Sequence, residues 1–377
     1  MTIKAPATVG MAIEDVDTPC LLIDLDSFER NVEIMGQFTK EKGLRLRAHA
    51  KTHKSSDIAI YQIEKGGACG VCCQKVSEAE ALVGGGVRDV LISNQVVAPK
   101  KIERLAALAT RARMLVCVDG LGNIGDLSAA AESSGAIIEC LVEIEVGGNR
   151  CGVEPGEPAV RLAKAADAAS GLRFSGLQAY QGSAQHIHDF TERKAAIDAA
   201  VSVVARTVDM LQAEGLHCDI VAGAGTGTGT GTYYFESASG VYTELQCGSY
   251  IFMDADYQSV LDDTGKGIGE FENSLFIYTS VMSKARVGKA VCDAGLKALS
   301  VDSGPPVIFD RDDVTYLEPS DEHGLIDDPG NVLTLNEKLM LIFGHCDPTV
   351  NLYDWFVCVR NGRVEALWPV TARGMCL

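Results

Sequence analysis

The sequence predicts an α/β fold: a (β/α)8 barrel followed by a C-terminal all-β domain. Three observations predict it. Strand-like and helix-like segments alternate over about the first 250 residues, the pattern of a parallel sheet with helical crossovers. That stretch offers eight strand candidates once the first apolar run is set aside, and eight strands close a barrel. After about residue 260 the long helices stop and strand-like runs follow one another. A doubly wound open sheet is the alternative, because sequence does not display closure.

Taken in order, residues 20–25 are a short apolar run. Asp26 or Ser27 can cap a helix reaching about Lys42, and Gly43 can end it. Leu44-Arg45-Leu46-Arg47 places leucines at every second residue, which argues for a half-buried strand over 44–50. Further barrel strands are expected at 70–74, 90–93, 114–119, 140–146, 176–180, 220–223 and 242–252. Helices are expected near 54–66, 76–86, 98–112, 121–134, 157–170 and 189–215, the last with Ala, Val and Leu spacing suited to packing on a sheet. In the C-terminal part, 274–282, 289–292, 338–343 and 355–359 read as strands. Arg360-Asn361-Gly362-Arg363 joins 357–359 to 364–368, and Asn-Gly between two apolar runs signals a hairpin. The boundary near 261–272 is rich in Asp and Gly.

Bulk properties narrow the function. A chain of 377 residues, 47% hydrophobic and 22% charged, is ordinary for a globular protein with a substantial core. Its net charge of −18, with basic residues scattered, argues against nucleic acid and against an anionic membrane surface. A small anionic substrate stays open, because local charge can oppose net charge. Thirteen cysteines without a disulfide framework fit a reducing, cytoplasmic setting. Cys69, Cys72 and Cys73 lack the second pair of a zinc site and read as packing thiols. No basic-then-apolar leader and no apolar run of membrane-spanning length is expected.

Several segments carry chemistry. Residues 47–54 read Arg-Ala-His-Ala-Lys-Thr-His-Lys, and Lys51 would project near the end of the strand at 44–50. Neighbouring positive charge disfavours a second ammonium, so this lysine is expected to lose its proton near neutrality and to condense with an aldehyde cofactor. Solvated surface charge is the plain alternative. Ala222-Gly223-Ala224-Gly225-Thr226-Gly227 follows a strand and offers bare N–H groups and hydroxyls that can cradle a phosphate; a surface loop is the alternative. It matches neither the P-loop nor the dinucleotide fingerprint. Arg150, among the glycines of 146–152 at a strand end, can reach an anionic oxygen. In 344–349, His345 and Asp347 would face one side of an extended segment while Cys346 points away. Such a pair could hold Mg²⁺ or Mn²⁺, with water or substrate completing the shell, or could simply be a turn. Tyr180 and His186 follow the next strand, and either could move a proton.

Together these segments resemble the D-threonine aldolase, 3-hydroxy-D-aspartate aldolase and D-serine dehydratase group, pyridoxal-phosphate enzymes with an alanine-racemase-like fold. The resemblance runs from Asp17-Thr18-Pro19 to Ala372-Arg373-Gly374 and rests on 47–54, 70–79, 149–152, 242–257 and 345–348 occurring in that order. It implies a barrel over 26–260 and a β domain formed by 1–25 and 261–377. It implies that Lys51 carries the cofactor as a Schiff base and that Arg150 contacts its phenolic oxygen. Gly225, Thr226, Gly248 and Ser249 would hold the phosphate, with Thr228 or Thr230 as alternatives to Thr226 in the Gly-Thr repeat. Gln246 stands where the racemases place an arginine near the pyridine nitrogen, and Gln74 and Tyr180 would line the pocket. His345 and Asp347 match the aldolases' divalent-metal pair, whereas the dehydratases carry a cysteine at the position of Asp347. The implied reaction is cleavage of a D-3-hydroxy amino acid, with His186 taking the β-hydroxyl proton. The favoured substrate is 3-hydroxy-D-aspartate, giving glycine and glyoxylate, with D-threonine next. Dehydration releasing ammonia and a cofactor carrier without turnover are the competing readings. A homodimer is the default assembly.

Overall fold

The protein is described here from a computed structural model covering residues 4–226, 231–266 and 269–377. Strand β1 (Cys20–Asp24) ends on Asp24, whose carboxylate accepts the Ser27 N–H at 3.0 Å. The first helix therefore runs Leu25–Lys42, and the cap lies upstream of the expected Asp26 or Ser27. The physical reason is that Asp24 has extended backbone while Asp26 is already helical. Gly43 ends this helix in the left-handed conformation, φ 66°.

The next eight strands are β2 (Arg45–His49), β3 (Gly70–Cys73), β4 (Asp89–Gln95), β5 (Arg113–Val118), β6 (Ile138–Glu143), β7 (Leu172–Gln178), β8 (Ile220–Gly223) and β9 (Glu244–Leu245). Each pairs in parallel with the next, and β9 pairs back to β2, so the sheet closes and is not an open one. Alternation along the strands divides their side chains between two cores. Val71, Cys73, Val90, Ile92, Val116 and Val118 pack in the cluster that includes the helices. Cys72, Leu91, Leu115, Cys117, Leu141, Ile220 and Ala222 form a separate buried cluster from strands alone, which is the barrel interior. Cys72 and Cys73 are thus packing thiols on opposite faces of β3.

The end of the barrel where the strands start is tied by charge. Arg47 is fully buried between Glu244 (2.8 Å) and Asp89 (2.5 Å). Arg113 bridges Asp89 (2.8 Å) and Glu139 (2.6 Å), and Glu139 also binds Arg173 and Ser175. The chain of ion pairs runs across β2, β9, β4, β5, β6 and β7, opposite the strand ends that carry sites in such barrels.

The strand expected over 242–252 shrinks to two residues. Beyond β9 the N–H groups of Gly248 and Tyr250 go to the Thr226 hydroxyl (3.2 and 3.1 Å) instead of to a ladder, and Ser249–Ile251 forms a 3-10 turn. A helix at Thr232–Ala238, which no periodicity announced, follows the Gly-Thr repeat.

The second sheet holds β1 with β10 (Leu275–Ser283), β11 (Lys289–Cys292), β12 (Val307–Ile308), β13 (Thr315–Pro319), β14 (Gly324–Asp327), β15 (Lys338–Ile342), β16 (Trp355–Arg360) and β17 (Arg363–Pro369). β1 pairs antiparallel with β10 and parallel with β16, so the first strand of the chain is central to a sheet otherwise made by its last hundred or so residues. Asn361 and Gly362 turn the β16–β17 hairpin with φ of 50° and 71°, as their sequence predicts. Among the described residues no helix is long and apolar enough to cross a membrane.

Candidate active site

A cavity of about 300 Å³ opens at the C-terminal ends of the barrel strands. Lys51, Gln74, Arg150, Tyr180, Gly225, Thr226, Gln246, Gly248 and Ser249 all line it. Thr228 and Thr230 lie outside the described residues. Lys51 stands in a tight turn after β2, where Lys54 N–H returns to the Ala50 carbonyl at 2.7 Å. The basic run around it is not surface charge. Arg47 is buried in the ion pairs below, and the buried Lys54 pairs with Glu78 at 3.1 Å. Burial first, and for His49 also the Lys51 charge, pushes the His49 and His53 imidazoles down to about 3, so both are neutral.

The expected depression of Lys51 does not hold. Its Nζ lies 2.7 Å from Asp347 Oδ2. Burial works to lower the ammonium, but the Asp347 carboxylate outweighs it and holds Lys51 above the ordinary lysine value. Of the neighbours expected to lower it, the two imidazoles carry no charge and Arg47 and Lys54 are paired with carboxylates of their own. Burial likewise works to raise Asp347, and Lys51 and His345 outweigh it, keeping the carboxyl well below its usual range.

His345 and Asp347 are brought together, for a reason other than the one expected. The segment is not extended: Cys346–Val350 is a helical turn, with His345 extended at its N-cap and Asp347 in its first turn. His345 Nε2 is 3.8 Å from Asp347 Oδ2, and His345 Nδ1 is 2.8 Å from Asp302. Cys346 is buried and faces away, its thiol against the Met253 carbonyl and its N–H on Asp254 at 3.2 Å. Asp347 Oδ1 is buried without a hydrogen-bond partner among the described residues. Among the described residues no group of three or more His, Cys, Asp or Glu gathers as a metal site.

His186 stands apart from this cavity. It ends the 3-10 turn Gly182–His186 and lines an adjoining recess of about 270 Å³ that shares Arg150 and Tyr180 with the first. Its Nδ1 is 3.2 Å from Asp256.

The walls combine neutral and cationic groups. Gln178 and Gln246 exchange two amide hydrogen bonds, 2.8 and 2.9 Å, closing each other's polar groups. The Arg150 guanidinium lies 5.8 Å over the Tyr180 ring. Gly225 and Gly248 are bare of necessity. A Cβ at Gly225 would come within 2.2 Å of Gln185 Oε1, and one at Gly248 within 2.7 Å of Thr52 Oγ1. Sequence reading missed His49, Thr52, Ser93, Gln178, Ala224 and Tyr257, which also line the cavity. His49 and Gln178 are the last residues of β2 and β7, so inspecting the final residue of every predicted strand would have found them.

Residues 23–256 match the family described as alanine racemase, N-terminal domain, and 274–359 that described as putative serine dehydratase domain. Fold and site thus define a barrel enzyme of the alanine-racemase-like class with an appended β domain. The chain is 56% identical over 372 residues to 3-hydroxy-D-aspartate aldolase of Paracoccus denitrificans strain Pd 1222, covering 98% of this chain and 95% of that one. It is 43% identical over 376 residues to D-threonine aldolase of Arthrobacter sp., covering 99% and 97%. A solved structure, D-threonine aldolase from Filomicrobium marinum, superposes with a TM-score of 0.95 at 52% identity, covering 99% and 100%. The chain belongs to this aldolase family and is an enzyme of the carbon–carbon lyase class.

Proposed function

We propose that this protein is a pyridoxal-phosphate- and divalent-metal-dependent aldolase that cleaves D-3-hydroxy amino acids, with 3-hydroxy-D-aspartate as the favoured substrate and glycine and glyoxylate as products. The observation that carries the reading is the convergence of Lys51, Arg150 and the Thr226–Gly248 cradle on one cavity, with Asp347 at 2.7 Å from the Lys51 amine. The donor set fits the cofactor: two glycines on which an added Cβ would clash keep this wall of the cavity bare, and Thr52 Oγ1 is buried there without a hydrogen-bond partner among the described residues. It fits a divalent cation as well, through an imidazole nitrogen and Asp347 Oδ1, which has no hydrogen-bond partner among the described residues.

Bound pyridoxal phosphate supplies an aldehyde that condenses with amines and a ring that accepts the electron pair of the broken bond. Lys51 would hold that aldehyde. Gly225, Thr226, Gly248 and Ser249 would hold the phosphate, Arg150 the phenolic oxygen, and Gln74, Tyr180 and Gln246 would line the ring. His345 and Asp347 would hold the metal, which supplies Lewis acidity at the substrate's β-oxygen. His186 takes the β-hydroxyl proton on Nε2, since Asp256 engages its Nδ1. That oxygen must become a carbonyl as the Cα–Cβ bond breaks, which is why metal and base belong there. The barrel is read as 26–260 and the β domain as 1–25 with 261–377. The assembly is proposed as a homodimer, and thirteen free cysteines suit a cytoplasmic setting.

The test is glycine release from 3-hydroxy-D-aspartate and from D-threonine, with Mg²⁺ or Mn²⁺ and with excess chelator. Faster release from 3-hydroxy-D-aspartate is expected, and full activity in chelator would remove the metal from the reading. Asp347→Ala is expected to abolish metal-dependent turnover while sparing the cofactor's visible absorbance on Lys51. D-threonine as the main substrate is the second reading, supported by the likeness to the solved D-threonine aldolase. Ammonia in place of glycine would instead indicate dehydration.

A further inference from the structure

The ring of His345 is held through one of its nitrogens, and the other is turned toward Asp347. Nε2 looks toward Asp347, 3.8 Å away, too far for a hydrogen bond. Nδ1 is 2.8 Å from Asp302 Oδ2. Asp302 comes from the turn before β12, more than forty residues upstream, so this contact is tertiary. The turn is itself fastened to the segment that carries His345. Ser300 N–H donates to the Thr349 hydroxyl at 3.2 Å, and the Ser300 hydroxyl donates to Asp302 Oδ1 at 2.7 Å. The backbones approach so closely that a Cβ on Gly344 would lie 2.9 Å from the carbonyls of Ser303 and Gly304. Asp302 is therefore a fixed acceptor with both carboxylate oxygens engaged.

We propose that Asp302 is the positioning residue for the metal pair. By accepting Nδ1–H it sets the tautomer of His345, so that the Nε2 lone pair points at the ion that Asp347 also binds. A carboxylate on the far nitrogen of a metal-binding imidazole fixes ring orientation and raises ligand basicity. Asp302 lies on the other side of the ring from Asp347 and is not a third ligand, in keeping with the absence of a three-residue cluster among the described residues. The inference rests on the metal reading given above.

The experiment is Mn²⁺ affinity of the cofactor-loaded enzyme without substrate, followed by calorimetry or by electron paramagnetic resonance of free Mn²⁺. Wild type, Asp302→Ala, Asp302→Asn, Asp302→Glu and His345→Ala are compared. Asp302→Ala is expected to weaken binding about tenfold, the lower end of the range for such partners because the side chain is half exposed. Asp302→Asn keeps an acceptor without the charge and is expected to lose less. Asp302→Glu should recover part of the affinity. Activity of each Asp302 variant should return at saturating Mn²⁺, with the cofactor absorbance unchanged. Wild-type affinity in both Asp302→Ala and Asp302→Asn, alongside loss in His345→Ala, overturns the positioning role alone. Loss in Asp302→Ala as complete as in His345→Ala also overturns it, since Asp302 would then be a ligand. Failure of the wild type to bind Mn²⁺ overturns the metal reading, and the inference with it.

Discussion

At the scale of single residues, one carboxylate governs the site. Asp347 faces Lys51 at 2.7 Å, and its charge is what keeps that lysine protonated against the pull of burial. The sign of a substitution follows. In the cofactor-free protein Asp347→Asn removes the largest of the influences that oppose burial, so the Lys51 pKa falls. Condensation with added pyridoxal phosphate needs the free amine, and its rate should rise with pH in both proteins. The variant's profile is expected to shift to lower pH, as read by stopped-flow absorbance; an unshifted profile would show that Asp347 does not set the lysine. Lys51→Ala should give no cofactor absorbance at any pH while the circular dichroism stays that of the wild type. The place of Lys51 just after an alternating strand was legible in its local setting. Its charge state was not, because the deciding partner lies 296 residues away in sequence.

At the scale of elements, the loop after β9 shows how a short strand makes a site. Two N–H groups that a longer strand would have spent on a ladder converge on the Thr226 hydroxyl and bring β8 and β9 loops together. Gly248 sits in this junction against Thr52 Oγ1 (2.7 Å), His49 Cβ (3.0 Å) and His49 O (3.1 Å) for any added Cβ. Overpacking of this kind costs about 1–3 kcal/mol. Gly248→Ala is therefore expected to weaken cofactor binding about 5- to 150-fold in an absorbance titration. Affinity within twofold of wild type would mean that the cradle yields freely. The Asn361-Gly362 hairpin was legible because its turn chemistry is local. The 3-10 turn at 249–251 was hidden inside the expected strand, since what diverts the Tyr250 N–H from a ladder is Thr226, over twenty positions earlier.

At the scale of the whole molecule, the two ends of the barrel are built differently. One carries the cavity; the other is closed by ion pairs centred on Arg47 and Glu139. Burial works to raise the Glu139 carboxyl, but its hydrogen bonds from Arg113 and Ser175 and the nearby Arg173 hold it down to about 2. A folded value below the unfolded one, about 4.5, stabilises the protein above that pH, and the contribution is lost as pH falls toward 2. It amounts to at most roughly 3 kcal/mol. Glu139→Gln should lower the melting temperature at pH 7 and leave a shallower decline between about pH 4.5 and pH 2; an unchanged acid limb would remove Glu139 from this role. By itself the sequence determined the alternation of elements, the eight-strand count and the hairpin, because period and turn chemistry are local properties, and its motifs together with the family resemblance picked out nine of the residues that line the cavity. Only the tertiary structure decided that β9 closes on β2, that β1 inserts between β10 and β16, that Arg47 and Lys54 of the basic run are buried, and that Asp347 meets Lys51 while Asp302 meets His345. Those outcomes depend on contacts between segments far apart in the chain, where burial and the sign of the facing charge outweigh any local preference.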